Sequence, residues 1–249
     1  MKYYIGCSGY YYKEWKQIFY PEGIAARDWF KFYCKHFNTL EINSSFYRMP
    51  SPSSLQKWYE DSPGDFLFSV KAPRLFTHLK RLHIDKKEIL AFCDLVSAGL
   101  KEKLGCILFQ MPPGFSFTPE RLQLICDQLD HSMPNVVEFR HESWWTREVL
   151  DTLNRHNIIF CGQSYPGNNL PEAAVVNSPV VYYRFHGKPV LYKSEYPEQA
   201  LKDVLEEIGD GHDKAFIYFN NTWGSAALVN SRQMQELVRQ KPVNHSNIL

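Results

Sequence analysis

Six apolar runs in this chain end on residues that could do chemistry, and all six end with the same spacing. The ends read Glu41-Ile42-Asn43, Ser69-Val70-Lys71, Leu108-Phe109-Gln110, Glu138-Phe139-Arg140, Arg184-Phe185-His186 and Tyr218-Phe219-Asn220. In each, one apolar residue precedes the last polar one. Alternate side chains of a strand share a face, so the polar series lies on one face and the apolar residue on the other. A carboxylate can serve as a general base and an imidazole as an acid. Arginine holds phosphate or carboxylate through paired hydrogen bonds, and lysine through a compact charge. Glu41, Glu138 and His186 are therefore the candidate catalytic groups. Asn43, Lys71, Gln110, Arg140, Arg184 and Asn220 are candidates for holding a substrate. The competing reading is a network of charges that neutralises itself and only plugs the fold, because unpaired buried charge is costly.

Neighbouring loops add to the set. After the first strand come Tyr10, Tyr11, Tyr12, Trp15, Phe19 and Tyr20, which could cover the fold's end or stack on a sugar or base. After the third come Arg74, His78, Lys80, Arg81 and His83, a basic loop that biases its surroundings toward anions. Pro112 and Pro113 fix the path after Gln110, and Trp144 adds an aromatic wall near Glu138 and Arg140.

Elements that could position these residues follow a regular alternation. Strands are expected at 3–7, 39–43, 66–71, 105–110, 135–140, 158–161, 180–186 and 215–220. Helices are expected near 26–36, 53–61, 87–102, 118–130, 146–156, 197–209 and 226–240. Ser53, Thr118 and Thr146 suit N-caps, with Pro119 at a first helical position. Strands alternating with helices predict parallel βαβ units. Eight such units in 249 residues suit an α/β fold of one (β/α)₈ TIM barrel, with active residues at the strands' C-terminal ends. The stretch 163–179 is rich in Gly, Pro and Asn, so the helix after strand six is short or missing. A doubly wound open sheet is the alternative, but no GxGxxG or GxxxxGK[ST] loop supports it. One domain is expected over 1–240, followed by a weakly ordered tail over 241–249.

Composition narrows the function classes. Hydrophobic residues make up 44% and charged residues 22%, which excludes general disorder. The formal charge of +1 gives no whole-chain attraction to nucleic acid or membrane. The six cysteines form no CxxC pair, and no secretory signal is apparent. A cytoplasmic protein with free thiols and no disulfides is therefore expected. No apolar stretch approaches the roughly 20 residues that span a bilayer, so no membrane association is expected.

The blocks IGCSGYYYKEW, FNTLEINSSFYRMPS, FSVKAPRLFTH, LGCILFQMPP, VVEFRHESWW, YYRFHG and YFNNTWGSAALVN follow one another from residue 5 to about 230. Together they resemble the YecE-like family, known as domain of unknown function 72. The resemblance implies a (β/α)₈ barrel and supplies no established activity. It matches the strand-end set and adds Tyr47 and His78 as binding candidates. Strand six in that family often ends on an aspartate. This chain has Cys161-Gly162-Gln163-Ser164 there, which speaks against a carboxylate from that strand.

Three functions remain open. The first is a barrel, enzymatic or ligand-binding, that takes a small anionic, phosphate- or nucleotide-like molecule. Lys71, Arg140 and Arg184 would hold the anion, Glu138 or Glu41 would be the base and His186 the acid; a hydrolase or lyase fits best. The second is a glycosidase-like hydrolase using Glu41 and Glu138. The third is a non-catalytic sensor or nucleic-acid-associated protein, ranked below a small anionic ligand. No cofactor is expected, although a single divalent metal on Glu41, Glu138 and His186 stays open. A Schiff-base role for Lys71 ranks lower. The sequence sets no oligomeric state.

Overall fold

Nine strands and seven α-helices follow one another along the chain in a computed structural model that describes residues 1–167 and 169–241. The strands are β1 (Lys2–Cys7), β2 (Thr39–Ile42), β3 (Leu67–Lys71), β4 (Leu104–Gln110), β5 (Asn135–Glu138), β6 (Ile159–Phe160), β7 (Gly162–Ser164), β8 (Val180–Phe185) and β9 (Lys214–Phe219). The helices are α1 (Trp29–Tyr33), α2 (Pro52–Asp61), α3 (Lys86–Leu100), α4 (Pro119–Gln128), α5 (Arg147–Arg155), α6 (Glu198–Ile208) and α7 (Ala226–Gln240). All strand pairs are parallel, in two sheets of order β1-β9-β8-β7 and β2-β3-β4-β5-β6.

Local chemistry explains where the helices start. Thr118 and Thr146 accept hydrogen bonds from the amides of Arg121 and Val149, as expected of N-caps. The cap of α2 is Ser51 rather than Ser53. Pro52 takes the first helical position, so the side chain one step earlier reaches the Ser54 amide, at 3.1 Å. The helix expected at 26–36 shrinks to five residues after a 3₁₀ turn at Ala26–Asp28. Its aromatic-rich sequence has weak helix propensity, and burial of Trp29, Phe30 and Tyr33 holds it in place.

The sixth strand is divided. β6 pairs with β5 and β7 pairs with β8, while Cys161 between them donates its amide to Val137 O at 2.9 Å. Among the described residues no helix lies between β7 and β8. The segment 172–175 runs across β7 instead. A Cβ on Gly162 would stand 2.7 Å from Ala173 O, so only glycine lets that segment approach.

At the β1–β2 boundary side chains take over the work of a ladder. The Tyr33 hydroxyl accepts from Cys7 N (2.8 Å) and donates to Thr39 O (3.0 Å). The Asn38 side chain accepts from Ile5 N (3.1 Å) and donates to Tyr3 O (2.8 Å). A Cβ on Gly6 would sit 2.3 Å from Thr39 O, so this boundary needs glycine. One parallel bridge joins Ser8 to Glu41.

Burial separates the strand residues by parity. Ile42, Val70, Phe109, Phe139, Phe185 and Phe219 join the large core shared with the helices. Tyr4, Leu67, Leu108, Val136, Tyr182 and Phe216, drawn from both sheets, form a second and smaller cluster. The polar strand-end residues share the parity of this inner cluster.

All six cysteines are free thiols. Among the described residues no helix is long and apolar enough to cross a membrane. Of the tail expected over 241–249, only Lys241 is among the described residues; its ammonium donates to the Tyr3 hydroxyl at 2.9 Å.

Candidate functional site

Three strands bring charge into a buried ring. Glu41 comes from β2, Glu138 from β5 and Arg184 from β8, and all three are 0% exposed. Arg184 lies between the carboxylates. Its Nη2 donates to Glu41 Oε1 at 2.6 Å, and its Nη1 pairs with Glu138 Oε2. The Tyr182 hydroxyl donates to Glu41 Oε2 at 2.7 Å. Arg140, two residues beyond Glu138, pairs through Nη2 with Glu138 Oε1, and its guanidinium lies 3.9 Å from the centre of the Tyr165 ring. His186 Nε2 is 3.1 Å from the same Glu138 oxygen, and its Nδ1 is 3.0 Å from Asn220 Nδ2. His186 Nε2 also lies 3.0 Å from Arg140 Nη2, so this nitrogen meets a donor and an acceptor at once while Nδ1 faces the Asn220 amide.

The protonation states follow from these contacts. Burial alone would raise the Glu138 pKa, but Arg140, Arg184 and His186 outweigh it and hold the carboxyl well below its usual range. Burial disfavours the Arg184 cation, yet Glu138 and Glu41 hold it well above the ordinary value. Burial lowers the Arg140 pKa, with Glu138 offsetting only part of the effect. Burial and then Arg140 push His186 well below its usual value, so its imidazole is neutral at physiological pH.

Lys71 stands differently. Its Nζ donates to Gln110 Oε1 at 2.8 Å and lies 4.3 Å from the centre of the Phe46 ring. Gln110 Nε2 donates to Met111 O at 3.1 Å, which turns the amide oxygen toward the lysine. Among the described residues Lys71 forms no salt bridge; both nearby carboxylates are engaged by arginines. Burial, followed by Arg184, brings its pKa down to about 7, against the pull of Glu138 and Glu41. The 3₁₀ turn at Ser44–Phe46 holds Phe46 in place, with Ser45 Oγ shared between Lys71 O (2.6 Å) and Ile42 O (3.0 Å). His78 packs edge-on against the far side of this corner, its ring centre 4.9 Å from that of Phe46. Burial and Lys71 bring the His78 pKa to about 4, so it too is neutral.

Of the expected residues, Glu41, Glu138, Arg140, Arg184, His186 and Asn220 form one network, and Lys71, Gln110 and His78 form the corner beside it. Asn43 flanks the Phe46 turn, its Oδ1 buried without a partner among the described residues. Tyr47 is 82% exposed, with its ring against Phe46, and lies on the rim rather than in the network. Arg184 has both terminal nitrogens committed to carboxylates, which leaves it poorly placed to hold an anion. Sequence reasoning missed Tyr182, Tyr165 and Phe46. Tyr182 was detectable, because it lies two residues before Arg184 and shares its face. Tyr218 likewise precedes Asn220, and its hydroxyl joins Thr39 Oγ1 (2.6 Å) and Ser69 Oγ (2.9 Å) below the charged ring.

A cavity of 320 Å³ opens beside Arg140, between Pro113, His141, Glu142, Gly167 and Asn169. A larger hollow of 430 Å³ lies at the opposite end, around Tyr3, Cys34 and Val238, away from all of these groups. Among the described residues no three His, Cys, Asp or Glu side chains gather as a metal-ligand set. Between Glu41 and Glu138 stands the Arg184 guanidinium, a poor fit to a divalent cation there.

The family model described as protein of unknown function DUF72 matches residues 4–247. The chain belongs to the DUF72 family. UPF0759 protein YunF of Bacillus subtilis is 30% identical to this DUF72 chain over 254 residues, 88% of the chain and 89% of YunF. UPF0759 protein YecE of Escherichia coli is 29% identical over 157 residues, 61% of the chain and 54% of YecE. A DUF72 structure from Thermotoga maritima superposes with a TM-score of 0.86 at 28% identity, covering 96% of this chain and 100% of that one. A DUF72 structure from Enterococcus faecalis shares the fold, with a TM-score of 0.83 at 19% identity and coverage of 99% and 100%. The family brings no reaction with it, so the roles of these residues rest on their geometry.

Proposed function

We propose that this DUF72 chain is a single closed (β/α)₈ barrel over residues 1–240 whose mouth takes a small anionic, phosphate- or nucleotide-like molecule, in the cytoplasm. The side-chain bonds across the β1–β2 boundary and the continuity through Cys161 support closure. One observation carries the functional reading: the ring's two carboxylates are matched by two arginines, and among the described residues Lys71 has no salt bridge to supply a counter-charge. An anion beside Lys71 would supply that charge and relieve the cost of its partial burial.

The glycosidase-like reading is weaker. An ionised Glu138 would suit only the nucleophile of such a pair, and Arg184 is bound to both carboxylates and occupies the space between them where the sugar would have to sit. The rim favours the nucleic-acid reading more directly, since Tyr47 and Trp223 are exposed and Lys193 lies over Trp223. Aromatic platforms beside cations suit single strands.

Thermal melts with inorganic phosphate test the proposal. Phosphate should raise the melting temperature of the wild type and leave that of Lys71→Ala unmoved. Equal responses, or none in either protein, would remove the reading. Salt-steep binding of an oligonucleotide without a phosphate response would favour the rim instead.

A further inference from the structure

Lys103 and Lys71 are both drawn in from the surface, and their surroundings differ in a way that bears on chemistry. Lys103 is 6% exposed. Its ammonium donates to Tyr59 O (2.7 Å), Ser62 O (2.8 Å) and Ser62 Oγ (2.9 Å), so all three N–H directions are used. That is a structural lysine closing the C-terminal end of α2. Lys71 has one acceptor, the neutral amide oxygen of Gln110, and an aromatic face on another side. It lies at the end of β3 in the same mouth as Arg184 and Arg140.

We propose that Lys71 is an imine-forming nucleophile for a carbonyl compound that carries an anionic group, such as an α-keto acid or an aldehyde phosphate. This rests on the anion-binding reading above and names the substrate class for that site. A lysine becomes nucleophilic when desolvation and neighbouring cations keep it neutral, and both causes act here: burial and Arg184 bring its pKa to about 7. The neutral Nζ lone pair attacks the carbonyl carbon, and the C=O π pair moves to oxygen. An N–H proton passes to that oxygen, giving a carbinolamine. A second proton, from solvent, lets the C–O bond break, and water leaves. The product is a protonated imine, whose positive charge takes the place of the ammonium. No oxidant or metal is consumed. The Gln110 amide, fixed by Met111 O, orients Nζ before attack. The loop after β3 carries Arg74, Lys80 and Arg81, which make an anionic carbonyl compound a better partner than a neutral one.

The test uses the wild-type protein, glyoxylate as the probe and cyanoborohydride to reduce any imine, followed by peptide mapping. Lys86 and Lys87, exposed at the start of α3, are internal references. At pH 7.5 Lys71 should be alkylated at least about tenfold faster than either, since an ordinary lysine is almost wholly protonated there. Inorganic phosphate should slow labelling at Lys71 and not at the references. Labelling of Lys71 no faster than the references would overturn the imine proposal. Lys71→Arg keeps a charge but cannot form an imine. If it still binds phosphate while the wild type fails to trap glyoxylate, the imine proposal falls and the anion site stands. Rapid labelling that phosphate leaves untouched would support the nucleophile and count against the phosphate reading.

Discussion

Arg184 and Lys71 stand at the C-terminal ends of β8 and β3, and the structure treats them in opposite ways. Arg184 is wholly buried, with a carboxylate on each terminal nitrogen and Tyr182 completing the Glu41 side. Lys71 is partly exposed, has one neutral acceptor, and borders a ring whose carboxylates are already paired. A buried ion pair recovers its desolvation cost only when geometry and hydrogen bonding are complete. The Arg184 region meets that condition and the Lys71 corner does not. The comparison separates a self-neutralised charge network from a group kept unsatisfied beside it.

Removing Arg184 should have the largest effect. Arg184→Met leaves Glu41 and Glu138 buried without their shared cation, which should cost about 3–5 kcal/mol in chemical denaturation. A loss below about 1 kcal/mol would erase the distinction between the two regions.

Lys71→Met should do much less, staying within about 1 kcal/mol of wild type or exceeding it at neutral pH, as at sites kept for function. Its effect should also depend on pH. The unfolded lysine titrates near 10.4, the folded one at about 7. Between these values the unfolded chain binds more protons, so the Lys71 contribution makes stability rise with pH. Wild type should therefore gain stability relative to Lys71→Met from about pH 7 to 10. Parallel pH profiles for the two proteins would mean that Lys71 is an ordinary surface lysine.

Much of this was legible in the sequence because parity is a local property. A one-residue step along a strand decides which face a side chain takes, and Phe139 against Arg140 or Phe185 against His186 shows it without tertiary knowledge. Charge pairing is not local. That Arg184 would reach both Glu41 and Glu138, while Lys71 met Gln110 and the Phe46 ring, depends on distances between strands far apart in sequence. Phe46 gave no periodic signal, since it sits in a 3₁₀ turn whose path is set by Ser45 bonding back to the ends of β2 and β3. The family resemblance brought in His78 and Tyr47 together. His78 packs at the Lys71 corner, whereas Tyr47 faces outward. The sixth strand's division escaped the reading because it shows only in which neighbour each half pairs with, β6 with β5 and β7 with β8, a tertiary property.

The most direct test is the titration of Lys71 itself, followed by NMR of protein labelled at the lysine ε-carbons and assigned with Lys71→Arg. Lys71 should titrate at about 7, and inorganic phosphate should move that value upward, because a bound anion favours the ammonium form. A Lys71 signal titrating near 10.4 and indifferent to phosphate would contradict the account.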